Sequence, residues 1–185
     1  MEIIKTTLDE VGNNVFSHLS NKSEGIIYHV FDENCAIVGR KGGSSIERIQ
    51  ECGIRMVQIN HEGGTIVASP GDISIGMFTK DYKGHEYRDK IVNKIINRLR
   101  ENGYNASIDG NDVVINDRKV IGYGSRRFGD ILYTAMHIAV NTNLEMIKTI
   151  CTKDMKKIPD ALVTYGINTG DILEIMSKVF EYQCV

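Results

Sequence analysis

The 185-residue chain reads as an α+β protein, with a mixed, largely antiparallel sheet layered with helices. Three observations predict this. Short apolar strands cluster as hairpins between residues 106 and 140, helical periodicities separate that cluster from an earlier group of strands, and the regular strand–helix alternation of a doubly wound sheet is missing. With 42% hydrophobic and 25% charged residues, the chain can bury one substantial core but hardly two, so one domain over residues 1–185 is expected.

Ile3 and Ile4 open a short strand, and Leu8, Val11, Val15, Phe16 and Leu19 then recur at the spacing of one helical face, with Gly25 ending the following turn. Residues 26–31 and 36–38 flank Asp32-Glu33-Asn34, which predicts a hairpin entering the loop GRKGGSS. Ser44 or Ser45 is placed to N-cap a helix through Cys52, closed by Gly53. Strands follow at 54–59, 65–67 and 73–78. Ile91, Ile95, Ile96 and Leu99 give a helix over 87–99, with Lys and Arg on its other face and Gly103 as its stop. Four strands come next, at 106–108, 113–115, 120–122 and 131–140, the first three joined by the turns DGN and NDR. Short helices start at Asn143 and span 169–180.

A formal net charge of -2, with basic residues scattered apart from pairs such as Arg126-Arg127 and Lys156-Lys157, argues against nucleic acid or an anionic membrane as partner. The four cysteines, Cys35, Cys52, Cys151 and Cys184, show no C-x-x-C spacing and read as reduced thiols rather than as disulfides or a zinc site. MEIIKTTLDE has no apolar signal region, and no run of about 18 apolar residues occurs. A soluble, cytoplasmic protein is expected.

The segment with chemical content is NDVVINDRKVIGYG, residues 111–124. On turn statistics alone it is an ordinary hairpin with an exposed Lys. It also resembles the pattern of the lipoate–protein ligase, octanoyltransferase and biotin–protein ligase superfamily, in which an Asn-Asp pair precedes a strand and a Lys stands three residues before a Gly. Here these are Asn111, Asp112, Lys119 and Gly122.

The resemblance continues in order along residues 39–164 and is strongest to lipoate–protein ligases. VGRKGGSSIERIQECGI is similar to their Gly-Arg loop, helix and Gly-Ile pair, and QINHEGGTIVASPGDIS falls on their Gly-rich segment, with Gly63, Gly64, Pro70 and Gly71 matching. ILYTAMHIAVNTNLEMI and the stretch Ala161-Leu162-Val163-Thr164 resemble their later strand and closing Val-Thr. Departures are clear as well. The family's Arg pair falls on Gln58 and Ile59, its Ser on His61, its first Gly on Glu62, and its His-Asp pair on Ala68 and Ser69.

The resemblance implies a biotin/lipoate ligase-like catalytic domain, without a C-terminal accessory domain, that attaches lipoate or a related acyl group to a protein lysine through an acyl-adenylate made with ATP and Mg²⁺. A compact cation stabilises charge that develops on such an adenylate, and Lys119 is that residue by resemblance. Arg40, His61, Gly63, Gly64, Thr65, Asn111, Asp112 and Gly122 are the implied acyl- or adenylate-binding residues, with Asp112 also the candidate Mg²⁺ ligand. Arg40, Arg126 and Arg127 are candidates to replace the Arg pair. A lipoyl domain or glycine-cleavage H protein is the implied acceptor, and a separate accessory subunit is compatible with the short chain. The alternatives are an ATP-independent octanoyl or lipoyl transferase working through a thioester, and a catalytically degenerate acyl-binding protein. Cys151 is the candidate nucleophile for the former, although it lies two positions early without a flanking Pro or Gly, and a buried inert thiol is the competing reading. His137, alternating with Met136 and Ile138, reads as structural or surface-facing.

Overall fold

A computed structural model describes residues 2–38, 46–58, 65–151 and 157–181. In chain order they form β1 (Glu2–Lys5), α1 (Val11–Ser20), β2 (Gly25–Val30), β3 (Cys35–Val38), α2 (Ile46–Glu51), β4 (Arg55–Gln58), β5 (Thr65–Ala68), β6 (Ile73–Thr79), α3 (Lys83–Glu101), β7 (Ala106–Asp109), β8 (Asp112–Ile115), β9 (Arg118–Phe128), β10 (Ile131–Ile138), α4 (Leu144–Ile150), a 3-10 turn (Leu162–Tyr165) and α5 (Thr169–Glu181).

The strands form two sheets. A seven-stranded sheet has the order β1-β2-β6-β10-β9-β8-β7 and a three-stranded sheet the order β4-β3-β5. Every neighbour in the large sheet is antiparallel except β1 on β2, so the mixed, largely antiparallel sheet layered with helices is the fold observed.

Alternation decides what covers each face of the large sheet. Ile26, Ile73, Ile75, Met77, Val113, Ile115, Ile121, Met136 and Ile138 face α3 and α5 in the main core, packed against Ile91, Ile95, Leu99, Ile172 and Met176. On the other face, Ile27, Phe78 and Ile131 pack with Val11, Val15 and Leu19 of α1. In the small sheet the central strand β3 is buried on both sides. Ala36 and Val38 meet Ile49 of α2 and Met146, Ile147 and Ile150 of α4, while Cys35 and Ile37 meet Leu8, Phe31 and Ala68.

Several elements differ from the sequence reading. Residues 26–31 and 36–38 do not pair as a hairpin, because β2 joins the large sheet and β3 the small one. All four residues of β3 are buried, which requires cover on both faces rather than the one-sided environment of a hairpin edge. Phe31, next to the supposed turn, instead bonds its N–H to Asp72 O and accepts from Gly71 N. Phe16 shares the helical spacing but points outward, 71% exposed. The helix expected over 87–99 starts earlier, at Lys83, and the strand expected over 120–122 runs the full length of β9. Gly25 begins β2 rather than ending the turn before it. The expected N-caps Ser44 and Ser45 lie outside the described residues.

Candidate active site

The turn between β8 and β9 places Asn116 and Asp117 at positive φ, 49° and 64°, the left-handed region that Asn and Asp tolerate best after Gly. From there β9 returns along β8 with a register shift. Asp112 lies opposite Gly122 and Val113 opposite Ile121, but Val114 lies opposite Lys119, so Val120 is an extra residue, a β-bulge. Without it, Lys119 and Gly122, an odd number of residues apart, would project to opposite faces. The bulge turns Lys119 to the side of Asp112 and Gly122.

Lys119 Nζ then stands 2.8 Å from Asp112 Oδ1. The side chain lies over Gly122, where a Cβ would come within 2.7 Å of Nζ and 2.8 Å of Cε. The Lys-x-x-Gly spacing therefore has a steric reason: the glycine vacates the space that the lysine occupies. Around the bulge, residues 158–160 run parallel to the start of β9. Lys119 N donates to Ile158 O and Asp160 N donates to Lys119 O, both at 2.8 Å. Asp160, 6% exposed, is fixed in turn by Ala161 N at 2.8 Å and Tyr165 Oη at 2.7 Å. The ammonium thus starts from an anchored backbone.

The same segment brings in a second cation. Lys157 Nζ lies 2.9 Å from Asp112 Oδ2 and 2.9 Å from Asp109 Oδ2, and donates to Asp109 O at 2.7 Å. Burial alone would raise the Asp112 carboxyl, but hydrogen bonds and charge from Lys119 and Lys157 outweigh it and hold its pKa below the ordinary 3.8. Its hydrogen bonds to the two carboxylates, Asp109 and Asp112, push the Lys157 pKa up. Asn111 closes this end of the site, its carbonyl accepting from Tyr123 N at 2.9 Å.

Beyond Gly122 the face continues as a row in direct register across three further strands. Asp112, Gly122, His137, Ser74 and His29 stand opposite one another on β8, β9, β10, β6 and β2. His137 Nδ1 is 3.1 Å from Ser74 Oγ, and its Nε2 is 4.0 Å from Asp72 Oδ2. Burial holds the His137 pKa below its ordinary value and Lys119 adds to this, against the pull of Asp72. The neighbouring row is Gly124, Ala135, Gly76 and Ile27, and a Cβ on Gly124 would meet nothing within 4 Å. Gly124 thus leaves open space beside Gly122 on this face, whereas a Cβ on Gly76 would meet Ile27 and Tyr133 at 3.1 Å.

Asp72 anchors the surroundings. Fully buried, it accepts from Val140 N and Asn141 N at 2.8 Å, Thr142 Oγ1 at 2.6 Å and Ser69 N at 2.9 Å, tying the end of β10 to the turn that leads from β5 to β6.

The structure brings Lys119, Asp112, Gly122 and Asn111 together as the motif implied. Thr65 opens β5 with its Oγ1 buried and without a hydrogen-bond partner. Arg40, His61, Gly63 and Gly64 lie outside the described residues. Arg126 and Arg127 sit farther along β9, over the rings of Phe128 and Tyr82. Cys151 caps α4 and packs beside the cluster of Ala36, Ile49 and Ile150. Burial raises its thiol pKa, and among the described residues no cation is seen to lower it. Asp112 does not fit a Mg²⁺ ligand as it stands, because both its oxygens already accept from ammonium groups; among the described residues no cluster of three acidic, His or Cys side chains suits a metal.

The sequence reading missed Lys157 and the row His29, Ser74 and His137. Lys156-Lys157 was visible only as a basic pair, and the row exists only once three strands are in register.

A family model described as "Lipoyl protein ligase A/B catalytic domain" matches residues 10–172. No curated protein matches the chain. Among solved structures, P. falciparum LipL1 in complex with lipoate superimposes with a TM-score of 0.79 at 14% identity, covering 98% of this chain and 61% of that one. The chain thus spans less than two thirds of that protein. A putative lipoate protein ligase from T. acidophilum with bound lipoic acid gives a TM-score of 0.72 at 12% identity, covering 97% and 83%. A biotin acetyl coenzyme A carboxylase synthetase from Helicobacter pylori with bound biotinylated ATP gives 0.52 at 12% identity, covering 98% and 74%. At these identities the likenesses concern the fold.

Proposed function

Since the chain belongs to the lipoyl protein ligase A/B catalytic domain family, we propose that it attaches lipoate or a related acyl group to a protein lysine by way of an acyl-adenylate made from ATP. The observation that carries this is the bulge at Val120, which aims Lys119 across Gly122 at Asp112. A bulge that re-aims a charged side chain over a small-residue floor is a device of binding sites and has no evident packing benefit.

In this reading the acid lies on the floor of Gly122, Gly124 and Ala135 with its carboxyl group at Lys119. The ammonium stabilises the charge that builds on the carbonyl and phosphate oxygens, first as the adenylate forms and again as an amine attacks its carbonyl. Lys157 supplies the second positive charge, and Asp112, ion-paired with both lysines, holds Lys119 in place. It stands in for the Arg pair replaced by Gln58 and Ile59. No step is assigned to Mg²⁺.

Related proteins support the partners. One neighbour of the same fold is described as a bi-partite lipoate protein ligase with its E2 lipoyl domain, and another is lipoate–protein ligase A bound with ATP. A lipoyl domain is accordingly the acceptor proposed here. Among the described residues no helix is long and apolar enough to cross a membrane.

The test is to incubate the protein with ATP, Mg²⁺, lipoate and a lipoyl domain and to follow lipoyl-AMP and the domain's mass. Lipoyl-AMP and a lipoylated domain are expected. Transfer from octanoyl carrier protein without ATP would establish the thioester route instead, and binding without any transfer would establish the degenerate acyl binder.

A further inference from the structure

The side chains of Lys119 and Lys157 are 41% and 22% exposed, and both end on Asp112. Ion pairs this open to water contribute little and do not by themselves hold two long, flexible side chains in one geometry.

The backbone supplies the missing constraint. Residues 158–160 lie parallel to the start of β9, with Lys119 N donating to Ile158 O and Asp160 N donating to Lys119 O, both at 2.8 Å. Pro159 occupies the position of this bridge whose N–H would point away from β9, so its missing donor costs no bond here. The chain then crosses to the end of β10, where Leu162 N donates to Ala139 O and Val163 N to Val140 O, both at 2.9 Å. Lys157 directly precedes this segment, so the register of 158–160 against Lys119 also sets where the Lys157 side chain starts.

A side-chain pair ties the segment to the core. Asp160 Oδ2 accepts from Tyr165 Oη at 2.7 Å and Oδ1 from Ala161 N at 2.8 Å, while Arg118 Nη1 stands 3.7 Å from Oδ2. Both residues are buried, and Tyr165 belongs to the main core, with the Tyr104 ring edge to face at 5.0 Å. Burial and the bond to Asp160 push the Tyr165 hydroxyl up to about 12, so it stays a donor near neutral pH. Apolar side chains of the same shape would fill this space nearly as well; what the carboxylate and hydroxyl add is direction.

Resting on the reading of Lys119 above, we propose that Asp160 and Tyr165 are positioning residues: their hydrogen bond keeps residues 157–160 in register with Lys119 and so holds both ammonium groups together on Asp112. Loosening that bond frees both cations at once, because one segment carries both constraints.

Tyr165→Phe removes the hydroxyl and keeps the ring, and Asp160→Asn keeps the shape and one acceptor oxygen. Each variant, checked for folding by circular dichroism, is treated with a limiting amine-acetylating reagent without acid or ATP, and labelling at each lysine is read by mass spectrometry. Lys119 and Lys157 should both label at least about twofold faster than in the unsubstituted protein, the weight of one weakened hydrogen bond, with Lys94 and Lys148 unchanged as references. In a folded variant, a rise at all lysines alike, at only one of the two, or at none overturns the proposal. Unfolding of both variants assigns the pair to stability alone and overturns it as well.

Acyl-AMP formation, measured alongside, separates this proposal from the function it rests on. In the variants kcat should fall about tenfold with KM for ATP little changed, because displaced groups slow the chemical step. No acyl-AMP from the unsubstituted protein, with the paired rise in labelling, refutes the function and leaves the positioning standing. Acyl-AMP made with an unchanged kcat by a folded variant refutes the positioning and leaves the function.

Discussion

The ammonium of Lys119 and the missing side chain of Gly122 share one volume, since a Cβ at residue 122 would lie 2.7 Å from Lys119 Nζ. Because Nζ is the tip of a flexible side chain, Gly122→Ala should displace the lysine rather than unfold the sheet. Stability should fall by no more than about 1 kcal/mol, the worth of a half-exposed ion pair, while acyl transfer falls nearly as far as in Lys119→Ala. Thermal melts beside activity assays check this. A large loss of stability with activity retained per folded molecule would contradict it.

Asp72 is a different kind of residue. Its fully buried carboxylate accepts from Ser69, Val140, Asn141 and Thr142, so Asp72→Ala leaves those donors unsatisfied and should cost about 3 kcal/mol, read as a lower urea midpoint. Asp72→Asn, which keeps one acceptor oxygen, should recover part of that loss.

His137 sets an acid limit. Burial and Lys119 depress its folded pKa below 6.5, so the folded state favours the neutral ring. Its contribution to stability is fully present above 6.5 and is lost as pH falls through the lower folded value. Urea midpoints should decline as pH drops below about 6.5, and His137→Asn should flatten that slope. An unchanged slope in the variant would assign the effect to other groups.

The thiols are expected to be inert. Burial, with the carboxylate of Glu33 adding to it, pushes the Cys35 thiol up to about 12, and the Cys151 thiol is raised by burial as well. Neither should be alkylated by iodoacetamide at neutral pH in the native protein, and Cys151→Ser should keep transfer activity. Loss of transfer in Cys151→Ser would instead support the thioester route.

The fold class and the Lys119 hairpin were legible because both depend on local pattern. The alternation of residues 113–115, the Asn-Asp turn and the Lys-x-x-Gly spacing all lie within a dozen residues. What made that spacing work was not legible, since nothing in Val120 marks it as the extra residue of a bulge. Residues 26–38 misled for a similar reason: a three-residue polar turn between apolar runs predicts a hairpin, and only tertiary burial of both faces of β3 sends the second run into another sheet. Lys157 was hidden by distance, arriving at Asp112 through a single parallel bridge at Pro159. His137 reads as structural or surface-facing and His29 carries no signal in the sequence, because their alignment depends on the order β2-β6-β10-β9, which local pattern does not encode.

The central claim is that Lys119, held over Gly122 by the bulge, carries the chemistry. The most direct measurement is adenylate formation from lipoate and octanoate with ATP, comparing the unsubstituted protein with Lys119→Ala and Lys119→Gln after circular dichroism has confirmed their folds. The account predicts acyl-AMP from at least one acid in the unsubstituted protein, and its loss by at least about a hundredfold in both variants, the scale on which removal of a positioned electrostatic group acts. Acyl-AMP formed at an undiminished rate by folded Lys119→Ala would contradict it.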